Sequence, residues 1–63
     1  MSGPSKSAMA AHHLTVAIRH LYAAAEFARD LKRADSEELA LSLQRTAEAA
    51  RDVRGEIAGE AAR

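Results

Sequence analysis

Arg33-Ala34-Asp35-Ser36-Glu37-Glu38 is the stretch on which the fold turns. Asp35 can accept from the backbone N–H groups of a new helical turn, and Glu38 follows three residues later, as in a capping box. Glu37 and Glu38 suit the positive end of a helix dipole. Lys32 and Arg33, just upstream, suit the negative end of a helix that finishes there. The hexapeptide therefore reads as the end of one helix and the start of another, with a short turn at 33–36.

Upstream, residues 6–33 hold neither Gly nor Pro and are mostly Ala, Leu, Arg, Glu and other strong helix formers. Helix one is expected over about 7–33, with Ser5 or Ser7 as its N-cap, behind a flexible lead at 1–6 that contains Gly3 and Pro4. Downstream, helix two is expected over about 36–57. Gly55 and Gly59 loosen its last turns, and residues 59–63 form a frayed tail. No segment alternates with the period of a strand. So short a turn makes the helices antiparallel, and the expected fold is all-α, one helical hairpin over 7–58.

Helix two carries one apolar stripe: Leu39, Leu43, Thr46, Ala50, Val53 and Ile57, spaced 4, 3, 4, 3, 4, with Ala40 and Ala47 beside it. Helix one carries two. The first runs Ala10, Leu14, Ala17, Leu21, Ala24, Ala28, Leu31, flanked by Ile18 and Ala25. The second is Met9, His13, Val16, His20, Ala24, Phe27 and Leu31. A helix that faces a single neighbour needs only one stripe. Helix one therefore meets more than one partner. The expected hairpin core is Leu14, Ile18 and Leu21 against Leu39, Leu43, Ala50, Val53 and Ile57. Met9, His13, Val16, His20, Phe27 and Leu31 are the expected oligomer interface.

Composition points the same way. Of 63 residues, 48% are apolar, but 16 of those 30 residues are Ala, which offers little area to bury. Chains below ~70–80 residues usually add a disulfide, a metal or a partner subunit. With no Cys, disulfides and Cys-based zinc sites are excluded. Self-association is the simplest remaining supplement, and two hairpins pooling their cores make a four-helix bundle.

The formal charge of zero gives no nucleic-acid or membrane signature, yet it divides along the chain. Residues 1–34 hold five basic and two acidic side chains, a net of +3; residues 35–63 hold four basic and seven acidic, a net of −3. No apolar run approaches the ~20 residues of a membrane span, and no segment has signal-peptide form, so a cytoplasmic location is expected.

Candidates for chemistry are few. His13 and His20 share a face but stand two turns apart, ~10 Å along the axis, too far for one metal ion within one chain. His12 turns elsewhere, and the i, i+4 and Glu-x-x-His ligand spacings are absent. A metal or ligand at His13 or His20 would need a second chain. No metal ligand set and no cofactor is assigned. Arg29, Lys32 and Arg33 cluster at the end of helix one, where they satisfy the helix terminus or, doubled in a dimer, contact an anion such as an RNA phosphate. No Gly-rich phosphate loop, paired inward carboxylates or nucleophile–base arrangement is present.

In size and architecture the hairpin resembles the Rop family of plasmid RNA-binding proteins. The likeness lies in scattered seam residues and the turn Ala34-Asp35. The polar helix-one face by which that family grips RNA is not matched, because Met9, Val16 and Phe27 occupy it. The expected function is thus a non-catalytic protein–protein interaction module, an adaptor, regulator or assembly subunit. Its partner is a second copy or a helical protein; RNA binding and a histidine-held metal are the alternatives.

Overall fold

The computed structural model describes residues 3–61. It is a hairpin of two helices, α1 (Lys6–Arg29) and α2 (Ser36–Ala61). The Cα trace measures 52 × 19 × 10 Å, one helix thick. No described helix is long and apolar enough to cross a membrane.

Ser5 caps α1 as expected: its side chain accepts from the backbone N–H of Ala8 at 3.1 Å. The other end differs from expectation. Helix one stops at Arg29 rather than 33, and the connection occupies residues 30–35. The last turn tightens, with the Asp30 N–H donating to the Phe27 carbonyl at 3.1 Å and the Leu31 N–H to the Ala28 carbonyl at 3.2 Å. What stops the helix lies further on. The Ser36 hydroxyl donates to the Leu31 carbonyl and accepts from the Arg33 N–H at 3.2 Å, which satisfies two groups a longer helix would have paired internally. Asp35 does not cap α2 with its carboxylate. Both carboxylate oxygens accept from the Arg33 guanidinium, at 2.9 and 3.1 Å, and only the Asp35 carbonyl receives the helical bond from Leu39 at 3.0 Å. A bidentate charged pair two residues apart outcompetes a neutral N–H donor for that carboxylate. Ser36, 8% exposed, is the clamp of the turn.

Helix two also outlasts its expected end at 57, continuing through Gly55 and Gly59 to Ala61. Neither glycine has a positive φ. Each costs about 1 kcal/mol relative to Ala in a helix interior, too little to break a helix whose other late residues include Ala, Glu, Arg and the half-buried Ile57. Of the lead and tail expected at 1–6 and 59–63, residues 1, 2, 62 and 63 lie outside the described residues; Lys6 and residues 59–61 are helical.

The seam between the helices is rotated from the expected one. On α2 the residues turned toward α1 are Ser36, Ala40, Leu43, Ala47, Ala50, Arg54 and Ile57, spaced 4, 3, 4, 3, 4, 3 and all buried or half-buried. Val53, expected in the core, is 46% exposed, and Thr46 is exposed as well. On α1 the matching series is Ser7, Ala11, Leu14, Ile18, Leu21, Ala25 and Ala28, with the same spacing. Of the other expected core residues, Ile18 is buried, whereas Leu14, Leu21, Leu39, Leu43, Ala50 and Ile57 are only half-buried. The reason is size. Ala40 and Ala47 at 0% exposure and Ala25 at 1% let the two backbones close on each other, and larger side chains move to the flanks of the contact.

Candidate interaction surface

Helix geometry sorts what the seam leaves outside. At ~100° per residue, the second stripe of α1 lies about 140° round from the seam, with Met9, Val16 and Phe27 farthest from it, on the outer edge of the hairpin. Phe27 is 74% exposed there, Met9 50% and Val16 37%, with His13 and His20 exposed between them and Leu31, 49% exposed, beyond the helix end. The expected interface residues are thus brought onto one edge, and α2 covers none of the large apolar ones.

A second apolar surface was not separated from the core by sequence reasoning. Positions about a quarter turn to one side of each seam fall on the same broad face of the hairpin, because the helices are antiparallel. The margins of that face are Ala10, Ala17 and Ala24 from α1 and Leu39, Thr46 and Val53 from α2, and between them lie the near edges of the seam residues Leu14, Leu21, Leu43, Ala50 and Ile57. Its middle carries no charged residue; Lys6 and Glu60 stand on it only at the open end of the hairpin. Leu39 and Leu43 pack against the buried Ala25–Ala28–Ala40 cluster on this side.

The opposite broad face is polar. It holds two polar side-chain contacts between the helices: the Arg29–Glu37 ion pair at 3.6 Å and the Arg54 guanidinium donating to Thr15 Oγ1 at 3.4 Å. Arg19 and Glu26 on α1 and Gln44, Glu48 and Arg51 on α2 belong to this side. A shallow depression here is lined by Glu48, Arg51, Asp52 and Arg54. The signal for the two-faced arrangement was present in the sequence, since the stripe Leu39–Leu43–Thr46–Ala50–Val53–Ile57 is the flat face itself.

The basic cluster is engaged within the chain. Arg29 pairs with Glu37 and Arg33 with Asp35, so of the three turn cations only Lys32 has no ion-pair partner among the described residues. His12, expected to turn elsewhere, stands edge-on to His13, ring centroids 5.5 Å apart. Among the described residues no three His, Asp or Glu side chains converge as a metal site would require.

Comparison of the chain with protein-family models, with curated proteins and with solved structures finds no match.

Proposed function

We propose that this hairpin is a non-catalytic interaction module that works as a homodimeric four-helix bundle. One observation carries the reading: a broad apolar face, built from both helices and charged only at its open end, on which Leu14, Leu21, Leu39, Leu43 and Ile57 are half-buried and Val53 is exposed. A contiguous apolar face of this kind marks a surface that another chain covers. The buried core it would complete contains no fully buried large side chain among the described residues, so pooling two chains supplies the missing burial.

The outer stripe of Met9, His13, Val16, His20 and Phe27 is a second apolar surface. It suits a helical partner laid along α1, with side chains at helical spacing as anchors. The pairing of Arg29 and Arg33 inside the chain disfavours the RNA-binding alternative.

Sedimentation equilibrium at micromolar concentration tests the dimer. The expected mass is twice the 6.7 kDa of the chain, and a folded helical monomer overturns the reading.

A further inference from the structure

The dimer reading leaves open which helix faces which, and the flat face has a feature that decides it. Its two halves differ in thickness. The α1 half is mostly Ala, with Ala10, Ala17 and Ala24 along its outer margin. The α2 half is bulkier, with Leu39, Thr46 and Val53 along the equivalent margin. Both margins repeat every seven residues, so their ridges share one period along the axis.

We infer that the second copy lies on this face with the helices exchanged: α1 of each copy runs over α2 of the other, and both turns stand at the same end. Stacking like on like would set a thin Ala-against-Ala pair beside a thick Leu-and-Val pair. The bundle would then splay on one side or leave voids on the other, and close-packed interiors tolerate neither. Exchange gives both sides the same composition, one thin ridge against one thick ridge. A two-fold axis parallel to the helices produces this arrangement, and all neighbouring helices remain antiparallel.

Charge favours the same choice. Within α1 three basic residues (Lys6, Arg19, Arg29) face one acid (Glu26), a net of +2; α2 holds six acids and three bases, a net of −3. Exchange places each positive helix between two negative ones. Like-on-like stacking sets positive beside positive and negative beside negative, and opposed like charge selects against that pairing.

The inference rests on the dimer reading, and one set of measurements separates the two. The chain has no Cys, so Ala34→Cys in the exposed turn accepts a single spin label per copy. With helices exchanged, the labels are separated by little more than the ~8–10 Å spacing of packed helices plus the label arms. With like on like, the turns lie at opposite ends, about the ~36 Å length of the 24-residue α1 apart. A short distance from electron paramagnetic resonance is the expected result, and a long one overturns the exchanged arrangement while leaving a dimer. Sedimentation of two further variants fixes the face. Ala17→Glu, at an exposed position of the isolated hairpin, is expected to give a helical monomer, and Phe27→Glu on the outer edge to stay dimeric. An Ala17→Glu dimer or a Phe27→Glu monomer overturns the assignment to the flat face. A monomeric parent chain overturns the dimer and the arrangement together.

Discussion

Ser36 shows how much of this fold depends on a single hydroxyl. It joins the Leu31 carbonyl to the Arg33 N–H across the connection, with its own N–H donating to the Arg33 carbonyl at 3.3 Å. Ser36→Ala leaves both groups without that partner in a part-buried turn. Thermal unfolding at fixed protein concentration should show a loss of about 1–2 kcal/mol. The alanines of the seam make the opposite kind of demand, for absence of volume. Ala40 and Ala47 have no exposed surface, so added volume at either has to displace a neighbour. Ala47→Leu inserts three heavy atoms where none fit, and should destabilise the hairpin by about 1–3 kcal/mol in the same measurement. Ala49→Leu, on the exposed side of the same helix, is the control and should be near neutral.

At the scale of the helix, existence was legible and limits were not. The Gly- and Pro-free run from Lys6, the acidic pair Glu37–Glu38 and the Ser5 cap are local signals, and they placed both helices. The end of α1 depends on which acceptor Ser36 and Arg33 choose, and that is a competition decided only once the chain has reversed. The seam was misplaced by about half a residue's rotation because hydropathy favours Leu and Val over Ala. Backbone approach favours the reverse, so Ala40 and Ala47 took the centre while Val53 was left on the flank. Gly55 and Gly59 were read as loosening the helix, yet both sit inside it, and a methyl group built on either meets nothing within 4 Å. Gly55→Ala and Gly59→Ala should each therefore raise stability by about 0.5–1 kcal/mol, visible as a higher melting temperature by circular dichroism.

For the whole molecule, the sequence announced a shortage of core and the structure distributes it. The outer edge of α1 was identified from its spacing alone. The flat face was visible as a set of residues but was read as the interior, because one-dimensional periodicity cannot tell a seam from its flank. The division of charge between the halves was legible from residue counts. It survives in the helices themselves and makes exchange the favoured stacking. The polar broad face, with its Arg29–Glu37 and Arg54–Thr15 contacts, stays in water in that arrangement.

A seam of alanines has a calorimetric consequence. Unfolding raises heat capacity in proportion to the apolar area it wets, ordinarily ~12–15 cal/mol/K per residue. Two helices that meet through Ala25, Ala28, Ala40 and Ala47 hide little such area, since only Ile18 among the buried residues is large. A lone hairpin would melt over a wide temperature span with a heat-capacity increment well below that range. An increment within the range would count the area hidden between chains, so the same alanines that thin the core turn an ordinary melting scan into a measure of what covers it.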